Sequence, residues 1–234
     1  MWDDVFKSFE KAFALMGEGD VLLNEIVETT MIMSLQSTLF SFIFGVLIGV
    51  LIAINDFPGK KIVITIVRTL MGLPAVAVGI LVYLLFSGNG PFGQFGLIYS
   101  VELMVIAQVI LITPVVAGMT ESAVSPAYKT MSATVEGLNL NKCKTMLLVL
   151  NETKLQLIAV ILFAFSRSIA EVGAVQIVGG NILHKTRVMT TAISLNYNTG
   201  QFQLALALGI ILMLIVLGVN MVSTILQRQL KKND

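Results

Sequence analysis

Long apolar runs alternate with short polar segments along most of this chain. Five runs reach the roughly 20 residues that a helix needs to cross the hydrocarbon core of a bilayer. They are Met31–Ile54, Ile62–Phe86, Leu97–Thr120, Leu155–Val178 and Phe202–Leu226. The pattern predicts an all-α polytopic membrane protein with about five transmembrane helices.

Residues 1–30 follow a different pattern. Apolar residues recur at alternating steps of four and three, and charged residues fill the positions between them. The apolar members are Trp2, Phe6, Phe9, Phe13 and Met16. The spacing predicts an amphipathic lead-in helix at the membrane interface. A helix that packs on the rest of the protein is the alternative.

Residues 125–154 form the one long polar interruption of the apolar pattern. Ser125 and Pro126 are favoured at a helix start, because Ser caps free N–H groups and Pro is tolerated in the first turn. An apolar stripe follows at one residue per turn, at Ala127, Met131, Val135 and Leu138. Asn139 can adopt a positive φ and end the helix. The segment therefore predicts a short helix, a sharp turn and a second amphipathic segment.

Basic residues predict the orientation. With the N-terminus outside, the inner loops at 55–61 and 121–154 and the tail 227–234 hold nine Lys and Arg, against four in the outer segments. The positive-inside rule then favours an N-out, C-in topology, with the polar interruption in the cytoplasm. The predicted organisation is a lead-in over 1–30, a transmembrane domain over 31–226 and a cytoplasmic tail.

Composition supports the membrane class. Of the 234 residues, 56% are hydrophobic and 12% are charged, about half the charged fraction of a soluble domain. The net charge of +1 argues against nucleic acid as a partner. The acidic N-terminus lacks the basic region of a secretory signal peptide.

Charged residues inside the runs are candidates for function. Arg167 and Glu171 lie four residues apart, so a continuous helix would place them on one face. They either neutralise each other as a structural ion pair or mark a face that lines a polar path or binds another helix. Arg68 is expected to extend to the interface.

Small residues recur every four positions in three of the runs, and they allow helix backbones to approach closely. They are Gly45, Gly49 and Ala53, then Ser166, Ala170 and Ala174, then Ala205 and Gly209. Packing within one bundle and a dimer contact are the two interpretations. Pro74 and Pro114 are positions where a helix can kink.

The loop 179–201 contains an apolar stretch, residues 188–195, that is too short to span and predicts a short helix or a re-entrant segment. His184, the only histidine, is expected to be solvated. The sequence contains no cluster of His, Cys and carboxylate residues, so we predict no metal site. It shows no nucleophile–base pair that would indicate catalysis. It has no P-loop motif, so we expect no ATP binding through a P-loop in this chain.

Three segments carry a family resemblance. The polar interruption resembles the cytoplasmic coupling loop of binding-protein-dependent ABC importer permeases, although Ala133 stands where that family has glutamate and Asn139 where it has glycine. The segments 165–193 (FSRSIAEVGAVQIVGGNILHKTRVMTTAI) and 68–93 (RTLMGLPAVAVGILVYLLFSGNGPFG) resemble permeases for tungstate, with molybdate and sulfate permeases close behind. Together the similarity covers about residues 30–226.

The resemblance implies a MetI-like permease fold in the inner membrane of a bacterium or archaeon. It implies a homodimer that works with two cytoplasmic ATPase subunits, which use ATP, and with an external oxyanion-binding protein. The implied ATPase-coupling residues are Ala127, Met131, Ala133, Val135, Glu136, Leu138 and Asn139. The candidates for the translocation path are Arg167, Glu171, Thr190, Thr191 and Ser194.

Other functions remain open at this point. A permease for molybdate, sulfate or phosphate belongs to the same class. A secondary carrier or channel that works without ATP is a different class, and the chain lacks the inverted repeat that many carriers show. A membrane-embedded enzyme is disfavoured by the lack of a catalytic cluster.

Overall fold

The structure is a computed structural model that describes residues 2–17 and 21–233. Every regular element in those ranges is a helix. The α-helices are α1 (Trp2–Gly17), α2 (Val21–Ile54), α3 (Lys60–Leu70), α4 (Ala75–Phe86), α5 (Val101–Gly137), α6 (Lys142–Glu152), α7 (Lys154–Ile169), α8 (Gly173–Gly179), α9 (Met189–Asn198) and α10 (Phe202–Asn233), and a 3₁₀ turn covers Gly93–Phe95. The predicted all-α class is confirmed.

The number of candidate membrane spans agrees with the sequence. In the described part of the chain, α2, α5 and α10 are long and apolar enough to cross a bilayer. The broken pairs α3–α4 and α6–α7 each have the length and composition of one more span. Three to five candidate spans are therefore present, and five is the number that the apolar runs predict.

The lead-in is shorter than predicted, because α2 begins at Val21 and the predicted boundary at residue 30 falls inside it. Burial explains the extension. Leu23 and Ile26 are buried in a core formed with α9 and α10, around Met189 and Leu208. The separate amphipathic helix is thus α1 alone. Its Phe6, Phe9 and Phe13 are exposed, whereas the side chains of Trp2 and Met16 lie outside the described residues.

Three prolines occupy two kinds of position, a break between helices and the interior of a helix. Pro74 lies in the break between α3 and α4, with an extended backbone just before α4 begins, so the predicted kink there is confirmed. Pro114 and Pro126 both lie inside α5. The expected helix start at Ser125–Pro126 is therefore wrong, since the helix that contains Leu103 and Val116 continues unbroken to Gly137.

The fourth apolar run is not one helix. It is interrupted after Ile169, and Glu171 and Val172 lie in the gap before α8. At its other end, α7 follows α6 with a bend of 77° at Thr153. The predicted span Leu155–Val178 is thus replaced by the bent α6–α7 pair, which ends nine residues earlier.

The chain divides into two compact units. The first contains residues 1–37, 74–108 and 166–219, and the second contains residues 38–73, 109–165 and 220–234. In the first unit, α4 packs on α8, and a Cβ added to Gly79 would lie 2.8 Å from the Cα of Ala174.

Close helix packing also organises the second unit. A Cβ added to Gly45 would lie 2.5 Å from the Cβ of Val116, and one added to Gly49 would lie 2.6 Å from the carbonyl oxygen of Ala117. Those distances leave no room for a side chain. The prediction that this stripe packs within one bundle is confirmed.

Candidate coupling end and translocation site

The polar interruption forms a helical hairpin in the second unit. We call residues 125–152, from the last turns of α5 through α6, the coupling end. Val124 and Val149 are fully buried in a core with Val50 and Ala53 of α2. This core anchors the hairpin to the helix that starts the transmembrane domain.

The turn between the two helices is built by two asparagines. The backbone of Asn139 has φ 49°, and the N–H of Leu140 donates to the carbonyl of Val135 at 3.1 Å. A left-handed residue followed by such a 6→1 hydrogen bond is a Schellman-type helix end, and the bond satisfies a carbonyl that the end of the helix would leave free. Asn141 then accepts the N–H of Lys144 through Oδ1 at 2.9 Å and caps α6. The predicted left-handed turn at Asn139 is confirmed.

The predicted docking stripe is unevenly exposed. Val135 is buried within this chain, and Ala127 and Met131 are half-buried. Leu138 is 65% exposed, and Leu147 on α6, which sequence reasoning missed, is 66% exposed. Apolar side chains available to a partner therefore lie at the tip of the hairpin and on α6. Ala133, Glu136 and Asn139 are exposed as well, and the coupling role of all seven residues stays a prediction.

A buried carboxylate next to the coupling end was also missed. Glu121 accepts a hydrogen bond from Nη2 of Arg68 at 3.4 Å, and its side chain is only 9% exposed. Arg68 is thus an ion-pair partner, whereas the sequence predicted only that it extends to the interface. The two residues are 53 positions apart, so no local pattern connects them.

The translocation candidates lie in the first unit, around the gap between α7 and α8. Glu171 Oε1 accepts the N–H groups of Val172 and Gly173, both at 3.1 Å, and its Oε2 lies 3.7 Å from Nη2 of Arg167. A carboxylate at a helix start is stabilised by the free N–H groups and the helix dipole there. The ion-pair alternative is therefore supported, although the pair spans a helix end and not a continuous helix face.

Of the five candidates, Arg167, Glu171, Thr190 and Ser194 lie near one another, whereas Thr191 does not join them. Thr190 donates its hydroxyl to the carbonyl of Glu171 at 2.9 Å. Thr190 and Ser194 line a cleft of about 470 Å³ between α9 and α10. Thr191 instead exchanges hydrogen bonds with the backbone of Val188 and is fully buried, so it serves the start of α9.

A buried hydrogen-bonded cluster of the first unit was not predicted. Ser37 and Ser168 lie 2.7 Å apart, and Gln108 Nε2 donates to the carbonyl of Ser168 at 2.9 Å. All three are fully buried, and Ser34 beside them has a buried hydroxyl with no partner among the described residues. Gln108 is the only amide in the apolar start of α5, a signal that could have identified the cluster.

The loop before α9 has more internal contacts than predicted. His184 Nδ1 lies 2.7 Å from Oε2 of Glu25, so the histidine is exposed but not without a partner. Arg187 donates through Nε to Asn181 Oδ1 at 3.2 Å. Residues 189–195 of the apolar stretch lie in the short helix α9, as the short-helix alternative predicts.

Comparisons with known proteins agree with these features. The family model described as binding-protein-dependent transport system inner membrane component matches residues 45–232. The tungstate uptake system permease protein of Campylobacter jejuni is 34% identical over 97% of this chain and 95% of its own length. The corresponding protein of Peptoclostridium acidaminophilum is 32% identical over 96% and 99%. A probable anion ABC transporter permease protein of Haloferax volcanii is 35% identical over 86% and 90%.

The match covers both the coupling end and the translocation candidates, and the apolar helices fit a multi-pass inner-membrane subunit of a transporter. The chain belongs to the family of binding-protein-dependent transport system inner membrane components, the permease subunits of ABC importers.

Proposed function

We propose that this chain is the permease subunit of a tungstate importer. The observation that carries the proposal is its identity of 34% and 32% to two tungstate permeases over nearly the whole of all three chains. Tungstate is a tetrahedral dianion, and molybdate and sulfate share that shape and charge. Selection among them is assigned to an external binding protein, because a permease that held the anion tightly could not release it.

ATP hydrolysis is assigned to separate cytoplasmic subunits that engage the coupling end. Helix-in-groove docking needs exposed apolar anchors with polar flanks. Leu138 and Leu147 supply the anchors, and the exposed Lys142 and Lys144 supply charged flanks. The core around Val149 would transmit motion of the hairpin to α2. This arrangement requires the N-out, C-in orientation.

The path for the anion is assigned to the region of Arg167, Thr190 and Ser194. Arg167 keeps 44% of its side chain exposed, so its charge can meet an anion in transit. The two hydroxyl side chains line the cleft between α9 and α10. Glu171 holds Arg167 in place and prevents it from binding the dianion too tightly.

A second copy of the chain is expected to cover that cleft. Its other walls are apolar and exposed, including Tyr197, Phe202 and Met213. Gly209 also lines it and has no atom within 4 Å of the position of an added Cβ. In a homodimer, Thr190 and Ser194 would then lie close to the contact between the two copies.

The proposal is tested by anion uptake into proteoliposomes. The chain is reconstituted with its ATPase and binding protein, and internal tungsten, molybdenum and sulfur are measured by mass spectrometry. ATP-dependent uptake with tungstate preferred over molybdate and sulfate is expected. Preference for another anion would reassign the substrate, and uptake without ATP would identify a secondary carrier.

The coupling end is tested by co-purification with the ATPase. Leu138→Asp is expected to abolish co-purification, because a charge would replace an exposed apolar anchor. Leu183→Asp, also at an exposed leucine but in the loop before α9, is the matched control and should have no effect. Retention of the ATPase by Leu138→Asp would contradict the assignment.

The dimer contact is tested on two glycines of α10 that both have open space around them, Gly209 in the cleft and Gly218 outside it. Gly209→Trp is expected to shift the purified chain to monomers in light scattering. Gly218→Trp should remain a dimer. Equal behaviour of the two variants would place the contact elsewhere.

A further inference from the structure

A cleft in the second unit combines basic and apolar side chains. It has a volume of about 730 Å³ and lies between the turn after α2, the start of α3 and the α5 helix. Its lysines are Lys60, Lys61 and Lys129, its carboxylates are Asp56 and Glu121, and Phe57 is among its apolar residues. Neither the family match nor the proposed transport path gives this cleft a role.

Two of the charges in the cleft are already compensated within the chain. Lys60 Nζ lies 3.1 Å from Oδ1 of Asp56 and donates to the carbonyl of Ala53 at 3.1 Å. Glu121 is paired with Arg68 at 3.4 Å. Both carboxylates therefore have a cationic partner, and neither leaves an unbalanced negative charge.

The remaining lysines are exposed and unbalanced. Lys61 and Lys129 make no ion pair among the described residues, and they reach the same cleft from two different helices. The cleft thus presents two free cations to one ligand. A phosphate group is a suitable partner, since it offers several acceptor oxygens and a negative charge.

Apolar exposure beside the lysines distinguishes a lipid from a free anion. Phe57 and Ile62 line the cleft, Ile66 follows one turn further along α3, and all three side chains are exposed. Inorganic phosphate gains nothing from such neighbours, whereas acyl chains gain from every apolar side chain that they cover. Basic pockets between membrane helices bind the headgroups of anionic lipids.

We propose that this cleft binds an anionic glycerophospholipid. The phosphate lies between Lys61 and Lys129, and the acyl chains run along Phe57 and Ile62. Lys61 lies at the start of α3, and Lys129 lies in the coupling end, on the last turns of α5. The bound lipid therefore bridges these two helices. The transported anion plays no part in this inference, which stands or falls separately from the proposed function.

Lipid binding is measured on the purified full chain by native mass spectrometry, with phosphatidylglycerol as the probe and phosphatidylcholine as the zwitterionic comparison. The double variant Lys61→Gln/Lys129→Gln removes both free cations. The matched control is Lys142→Gln/Lys144→Gln, which removes the same charge from exposed lysines of α6 outside the cleft. The unsubstituted chain is expected to bind phosphatidylglycerol more tightly than phosphatidylcholine.

The cleft variant is expected to weaken phosphatidylglycerol binding about 25-fold, because each basic residue near an anionic headgroup contributes about a factor of five. The control should change it less than twofold. Equal weakening in both variants would show a general charge effect and overturn the proposal. Displacement of the lipid by millimolar inorganic phosphate would also overturn it, since the site would then be one for free anions.

Discussion

The two arginine–glutamate pairs in the described part of the chain have the same composition, but their glutamates accept different numbers of hydrogen bonds. In each unit a half-exposed arginine meets a buried glutamate. The side chains are 59% and 9% exposed for Arg68 and Glu121, and 44% and 8% exposed for Arg167 and Glu171. Glu171 also accepts two backbone N–H groups at the start of α8. Among the described residues, Glu121 has a hydrogen bond from Arg68 alone.

The contrast indicates that the number of donors to a buried carboxylate matters more than the presence of an arginine. A buried charge that loses its only partner keeps the whole desolvation penalty, whereas one with further donors does not. Arg68 should therefore be a structural residue, and Arg167 should be free to serve transport. Three substitutions test this contrast, in order of expected effect.

Removal of Arg68 should be the most damaging change. Arg68→Met leaves the Glu121 carboxylate buried without a hydrogen-bond donor, and we expect the free energy of unfolding to fall by about 1.5–3 kcal/mol. The measurement is denaturation by dodecyl sulfate in mixed micelles, followed by circular dichroism. Glu121→Gln in the Arg68→Met background should recover most of the loss, because a neutral amide costs less to bury. No recovery would show that Arg68 stabilises the fold by packing.

Removal of the Glu171 charge should have an intermediate effect. Glu171→Gln keeps an oxygen that can accept the N–H groups of Val172 and Gly173, but it loses the interaction of a charge with the helix start. We expect a loss of about 0.3–1 kcal/mol in the same measurement. A loss as large as that for Arg68→Met would mean that the charge of Glu171 matters beyond the cap.

Removal of Arg167 should have the smallest effect on stability. Arg167→Met leaves both backbone donors of Glu171 in place, and the 3.7 Å ion pair is half-exposed, so we expect a loss of at most about 0.5 kcal/mol. Transport should fall nevertheless, which tungstate uptake into proteoliposomes would detect. Normal uptake by a stable Arg167→Met variant would exclude this residue from the path.

The buried cluster of Ser37, Gln108 and Ser168 extends the same lesson. The surrounding runs were predicted to be spans, because a few hydroxyls and one amide barely change the summed hydropathy of about 20 residues. The cluster depends on which helices become neighbours, since its members are 60 to 131 positions apart. Among the residues that the structure describes, its buried polar groups are satisfied by one another and by nearby carbonyls.

Local patterns determined a large part of this protein. The apolar runs indicated the membrane helices, Asn139 indicated the left-handed turn of the coupling end, and the Gly45–Gly49 spacing indicated close helix packing. Each of these follows from residues that are contiguous or close in the sequence. The family resemblance was readable for the same reason, because it rests on contiguous segments such as 165–193.

Only the tertiary structure decided the rest. In the structure, α5 continues through Pro126 and α2 begins at Val21. Val135 is buried, and Arg68 pairs with Glu121. The physical reason is the same in each case. Burial against distant helices and hydrogen bonds to distant partners outweigh local preferences. Neither contribution can be predicted from residues that are adjacent in the sequence.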